Sequence, residues 1–309
     1  MTLTKGSLAY IEEYKGVQYY EQTPEEARAE RATSPIHQVT VEGISKIEDR
    51  LITVTDGEQI SVRIYTPEGN GPFPVIVYFH GGGWVFGNPD YADGGCRYLT
   101  ASAKSIVVSV DYRLAPEYPF PTPVQDSYDA FLWVAENTTL LNGDSTKLYV
   151  AGDSAGGNIA AVVSHWSAEK GGPKITAQAL IYPVLNVNFN TASYEKFGIG
   201  YGLDRDGMIW FANHYIKDSK EKINPSISPL IAQDLHKTPR TILIAAEYDV
   251  LLDEGIAYVT RLHEADVEAK HIMLPGLIHS YFSKMEFFEQ DTKKTSELIA
   301  EFFEKKNPE

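Results

Sequence analysis

Six short apolar runs recur along this chain, at residues 75–79, 106–110, 148–151, 177–182, 242–246 and 272–274. Runs of that length with no polar alternation predict strands buried on both faces. Between most of them lie stretches of helical character, at 124–136, 158–170, 208–216 and 256–265, with a last one near 293–305. Strand and helix in alternation predict a mostly parallel sheet covered by helices. Ahead of the series, residues 47–54 and 60–65 flank the turn pair Asp56-Gly57, so an antiparallel hairpin opens the sheet and brings it to about eight strands.

Residues 186–229 interrupt this rhythm with an insertion rich in large apolar side chains, among them Phe189, Tyr194, Phe197, Tyr201, Met208, Trp210, Phe211 and Tyr215. Such residues need a surface to cover. The first forty or so residues read as helix and loop, with the clearest helix start at Thr23-Pro24, followed by Glu25-Glu26. A single domain over 1–309 is therefore expected, with a lid made from about 1–45 and 186–229 over the carboxyl edge of the sheet, where α/β proteins bind ligands.

Composition narrows the picture. Hydrophobic residues make up 43% and charged residues 22%, enough apolar material for a sizeable core and too little charge for a disordered chain. The formal net charge of −15 repels phosphate backbones and anionic lipid, which argues against nucleic acid and anionic membranes and favours a small neutral substrate. Residues 1–14 carry Lys5, Glu12 and Glu13 with no signal-peptide core, and nowhere do about 18 apolar residues run together, so a cytoplasmic protein without stable membrane insertion is expected. The single cysteine, Cys96, excludes an intrachain disulfide and a cysteine-based zinc site. A homodimer is compatible with everything so far.

Two motifs carry chemistry. Gly152-Asp153-Ser154-Ala155-Gly156 stands between an apolar run and a helical stretch, where a strand must turn sharply into a helix and present the serine oxygen. His80-Gly81-Gly82-Gly83-Trp84 follows the run ending at Phe79, and glycines at a strand end leave main-chain N–H groups unobstructed. Such donors stabilise the alkoxide of a tetrahedral intermediate. Gly82, Gly83 and Ala155 are the expected donors, with His80 anchoring the loop. A phosphate-binding loop is the rival, but no Lys-Ser/Thr follows the glycines.

A serine hydroxyl near neutral pH needs an imidazole to take its proton. In this strand-helix arrangement the order is nucleophile, acid, base, which leaves the histidines beyond Ser154. His165 and His263 fall in helical stretches, His214 and His236 precede the best acid, and His271 lies in a strand. His279, on a loop after Pro275-Gly276, remains as the expected base. Asp249 ends the run at 241–248 and is the expected orienting carboxylate. Asp253, ahead of a helix, reads as a cap and stays open as the alternative.

These segments resemble the hormone-sensitive-lipase-like family of bacterial esterases and lipases, over roughly 74–282. The resemblance rests on His80 to Trp84, on Asp111-Tyr112-Arg113-Leu114-Ala115-Pro116-Glu117, on the elbow through Gly157, on Glu247-Tyr248-Asp249 followed by Asp253-Glu254-Gly255, and on the late histidine. Two positions depart from it: Val250 replaces the usual proline after the acid, and Ser280 replaces the usual glycine after the histidine. The resemblance implies an α/β-hydrolase fold, carboxylesterase activity on short to medium acyl esters and no metal or organic cofactor. Trp84, Met208 and Phe211 are the candidate substrate-binding residues. A deacetylase or amidase would use the same triad, and an inactive small-molecule receptor on the same scaffold is the alternative outside enzymes.

Overall fold

The computed structural model describes residues 2–33 and 36–305. Positions 1, 34 and 35 of the expected lid, and positions 306–309, lie outside the described residues. Among the described residues eight strands form one sheet: β1 (Ile44–Thr53), β2 (Gln59–Pro67), β3 (Phe73–Phe79), β4 (Ile106–Asp111), β5 (Gly143–Asp153), β6 (Ala177–Ile181), β7 (Arg240–Tyr248) and β8 (Ala269–Ile278). Their spatial order is β1-β2-β4-β3-β5-β6-β7-β8. β2 pairs antiparallel with β1 and β4, and every other pairing is parallel.

The helices are α1 (Lys5–Glu13), α2 (Pro24–Ala32), α3 (Pro89–Ala103), α4 (Thr122–Glu136), α5 (Ala155–Glu169), α6 (Ala192–Phe197), α7 (Arg205–Tyr215), α8 (Leu252–Glu264) and α9 (Met285–Glu304). No described helix is long and apolar enough to cross a membrane. The sequence pattern predicted no helix at α3, whose acidic residues and paired glycines are poor helix formers. Tertiary context overrides that weakness, because Asn88 caps it by accepting the Tyr91 N–H at 2.9 Å and its inner face buries Cys96 and Leu99 completely. The expected loop at Pro275-Gly276 also differs: β8 runs through both residues, with a register shift against β7, and His279 follows the strand directly.

β3 lies between β4 and β5, so successive connections leave it in opposite directions. That is a topological switch point, and the loops after β3 and β5 face one another across it. The contact there is very close. A Cβ placed on Gly156 would lie 1.9 Å from the Phe79 carbonyl oxygen, so only glycine lets α5 approach the end of β3.

The amino-terminal segment is built onto both sides of this edge. α1 hangs from β8, with Thr4 N–H and Ser7 Oγ both donating to the Gly276 carbonyl, at 3.0 and 2.8 Å. α2 starts at Thr23 with a full capping box to Glu26, as its sequence signal predicted. From α2, Arg28 donates to the carbonyls of Val85 and Ala115 and makes a two-pronged pair with Glu117. The insertion meets this segment at Tyr19, whose ring centroid is 5.3 Å from Phe211 and 5.8 Å from Trp210, while Trp210 Nε1 donates to the Gln22 carbonyl.

Gly156→Ala should cost about 3 kcal/mol or more, because the obstacle is backbone on both sides and cannot rotate away. Denaturant unfolding checks this, and a variant with near-native stability would contradict the close approach.

Candidate active site

Ser154 occupies the turn between β5 and α5 with φ 56° and ψ −119°. A non-glycine residue in such a conformation is strained by roughly 1–3 kcal/mol and must be held there. Its N–H donates to the Ile181 carbonyl at 2.9 Å, and its carbonyl accepts from Asn158 and Val184, both at 3.1 Å. Its own helix and the chain leaving β6 therefore grip one residue.

His279 Nε2 lies 2.9 Å from Ser154 Oγ, and His279 Nδ1 lies 2.7 Å from Asp249 Oδ2. The three side chains are buried, Ser154 being 7% exposed, His279 4% and Asp249 2%. A carboxylate can only accept, so with Asp249 ionised Nδ1 carries the proton and Nε2 is left to accept from the serine. The other oxygen of Asp249 accepts the Leu251 N–H at 3.0 Å, which holds the carboxylate plane.

The loop after β3 turns tightly, with the Val85 and Phe86 N–H groups both donating to the Gly82 carbonyl. Gly82 and Gly83 have φ of 114° and 61°, values that disfavour any side chain. Among the described residues, the N–H groups of Gly82, Gly83 and Ala155 have no partner in the protein. They are free for an external acceptor. His80 is fully buried, stacked on Tyr112 at 4.3 Å, with Nδ1 2.8 Å from the Gly81 carbonyl. Burial pushes its pKa down to about 4, so it stays neutral near pH 7 as an anchor of the loop.

Several supporting residues escaped the sequence pattern. Asp153, buried at 2%, accepts the Gly81 N–H at 2.8 Å and the Tyr78 hydroxyl at 2.7 Å, tying the glycine loop to the elbow. Its burial raises the carboxyl pKa, against the lowering effect of those hydrogen bonds. Tyr182, just past β6, donates to Asp153 at 3.4 Å, accepts the Phe282 N–H at 3.1 Å, and sets its ring 4.6 Å from that of His279. The available signal was a charged residue closing the apolar half of β5, and a tyrosine just after β6.

Asp253 is not the cap of its own helix. Its carboxylate accepts the Ser193 N–H at 2.7 Å, at the start of α6, while Glu254 accepts the Leu185 and Asn186 N–H groups where the insertion begins. Both acids therefore hold the insertion to the acid loop.

A cavity of about 430 Å³ opens beside the glycine loop, walled in part by Tyr19, Phe86 and Tyr91. Trp84, Met208 and Phe211, the candidate substrate-binding residues, do not line it, and neither do Ser154 and His279. Trp84 is fully buried and stacks on Tyr215 at 4.3 Å and 2°. Phe211 fills the space that a Cβ on Gly83 would need, and Met208 is buried on the same helix.

Against known families, residues 76–283 match the model described as alpha/beta hydrolase fold. The arylesterase of Saccharolobus solfataricus is 36% identical over 261 residues, 84% of this chain and 85% of that protein. The chain belongs to the hormone-sensitive-lipase-like α/β hydrolases. The ethyl acetate hydrolase of Pseudomonas putida is 34% identical to this hydrolase over 76% of its chain and 75% of that protein. Among solved structures, a thermostable esterase from Pseudomonas putida ECU1011 superposes with a TM-score of 0.90 at 31% identity, covering 99% of both chains. The hyperthermophilic esterase of Pyrobaculum calidifontis gives 0.86 at 33%, covering 98% of both.

The two departures of this α/β hydrolase from its family differ in consequence. Val250 is buried, and its carbonyl accepts the Ser193 hydroxyl at 2.6 Å, another tie to the insertion. Ser280 stands at φ 67°, in the left-handed region that the usual glycine would occupy without strain. Ser280→Gly should therefore raise stability by roughly 1 kcal/mol, the relieved strain exceeding the added unfolded-state entropy. Chemical denaturation measures the change, and a destabilised variant would contradict it.

Proposed function

We propose that this hydrolase is a serine carboxylesterase acting on short to medium acyl esters. Ser154 is the nucleophile, His279 the general base, Asp249 the orienting carboxylate, and Gly82, Gly83 and Ala155 the oxyanion donors. The observation that carries this is the pair of contacts at His279, 2.9 Å to Ser154 Oγ and 2.7 Å to Asp249 Oδ2.

Ser154 Oγ attacks the ester carbon as its proton passes to His279 Nε2. The carbonyl oxygen becomes an alkoxide, which the free N–H groups stabilise; one such donor is worth ~3–4 kcal/mol in comparable sites. On collapse the ester C–O bond breaks, the imidazolium gives its proton to the departing alcohol, and the acyl group stays on Ser154. Water then attacks the acyl carbon, losing a proton to Nε2, and the second collapse returns that proton to Oγ and frees the acid. Asp249 keeps the imidazole in the required tautomer and stabilises its cation without taking the proton.

Support for short acyl groups comes from the closure of the site. The insertion's Phe211 lies against Gly83 of the glycine loop and against Tyr19, and Ser154 is buried. We read the amino-terminal segment and the insertion together as a lid over that site. The names of the arylesterase and ethyl acetate hydrolase relatives agree with small ester substrates.

Ser154→Ala should lower kcat for 4-nitrophenyl acetate by roughly 10⁴-fold or more and abolish labelling by a fluorophosphonate probe. Retained turnover would remove the mechanism. Across 4-nitrophenyl esters from acetate to decanoate, kcat/KM should peak at the short end and fall with length. Faster hydrolysis of long-chain emulsions would contradict the narrow site.

A further inference from the structure

The cavity beside the glycine loop has the proposed oxyanion donor Gly82 on its wall, together with Ser283, four residues past His279. Its volume of about 430 Å³ falls within the range of small-molecule sites. Two cations meet on that wall. The guanidinium of Arg31 sits 4.3 Å from the ring centroid of Phe86 and 5.2 Å from that of Tyr19. Lys284 Nζ donates to the Tyr14 hydroxyl at 3.3 Å and lies 5.8 Å from the ring centroid of Tyr91.

The nearby carboxylates are mostly committed elsewhere. Glu117 pairs with Arg28 and Asp90 pairs with Arg63 at 2.6 Å, while Glu30, which accepts the neutral Gln22 amide at 2.7 Å, is exposed and screened by solvent. Glu286 stands 4.0 Å from Lys284, at the outer limit of an ion pair, and Arg31 has no carboxylate partner among the described residues. Lys284, its side chain only 15% exposed, has its pKa lowered by burial, and Arg31 adds to that lowering against Glu286. Two under-compensated cations sharing an aromatic cavity repel each other until an anion enters.

We propose that the cavity takes the carboxylate-bearing arm of an ester substrate, its carboxylate between Arg31 and Lys284 and its apolar body against Phe86 and Tyr91. This rests on the esterase function above and names its substrate class. The net charge of −15 pointed instead to a neutral substrate, but charges spread over the surface are screened beyond about 8–10 Å. Cations at contact distance, Lys284 half-buried and Arg31 at the exposed rim, outweigh them.

Calorimetry on Ser154→Ala should show 4-acetoxybenzoate binding about tenfold more tightly than methyl 4-acetoxybenzoate, the scale of one partly buried charge-assisted contact. Arg31→Gln and Lys284→Gln should each shrink that gap, and added salt should shrink it in the unsubstituted cavity. In the wild-type enzyme the ratio of kcat/KM for the two esters should follow the binding ratio. Equal binding of the two esters, or a gap indifferent to both substitutions and to salt, overturns the inference. If Ser154→Ala prefers the carboxylate while the wild-type enzyme hydrolyses neither ester, the site stands and the esterase function falls.

Discussion

The structure depends on one close approach, that of the chain leaving β5 to the chain leaving β3. At Gly156 the carbonyl of Phe79 leaves no space for a side chain, and one residue before the elbow serine the carboxylate of Asp153 takes the Gly81 N–H. These contacts fix the distance between the serine and the N–H groups of the glycine loop. An oxyanion site is useful only if its donors are already in place when charge develops, because reorganising them at that moment would cost the energy they supply. A buried carboxylate is an expensive device for the purpose. It is tolerated because three donors, Gly81 N–H and the hydroxyls of Tyr78 and Tyr182, converge on it.

The imidazole has a harder geometric problem. It hangs from β8, three strands away from β5, and neighbouring strands stand about 4.8 Å apart. The chain after β8 must lean back across β6 and β7 to reach the serine. Tyr182, past the end of β6, fills the gap by holding Phe282 with its hydroxyl and placing its ring beside the imidazole. The left-handed turn at Ser280 completes the bend. Asp249 and the acid loop are braced from the other side, where Ser193, Asp253 and Glu254 join them to the insertion.

These relations explain how much of the molecule the chain reveals by itself. Strands buried on both faces announce themselves as apolar runs, and both motifs sit at strand ends, so the sheet and the three distant residues Ser154, Asp249 and His279 were legible. Helix α3 was not, since its stability comes from a cap and from burial of one face, with little from intrinsic propensity. Asp153 and Tyr182 were also hidden. Their importance comes from partners 72 and 100 residues away, at Gly81 and Phe282, and no local pattern encodes those contacts. The packing of Trp84 was hidden for a related reason, because a tryptophan beside a glycine loop reads the same in sequence whether or not it is buried and stacked on Tyr215.

The same framework separates chemistry from selectivity. Ser154, His279, Asp249 and the glycine loop belong to the sheet and its edge, whereas Tyr14, Tyr19 and Arg31, on the cavity wall, belong to the amino-terminal segment. Arg28 joins the two. By donating to the Val85 carbonyl while paired with Glu117, it seats α2 on the loop that carries the glycines. That also gives the segment 111–117 a physical role: Tyr112 holds the His80 carbonyl, Arg113 grips Asp126, and Ala115 and Glu117 receive Arg28. A substitution on the cavity face of α2 can therefore reshape the cavity while leaving the hydrogen bonds at Ser154 untouched, whereas one at Arg28 disturbs the seat of α2 and the glycine loop together.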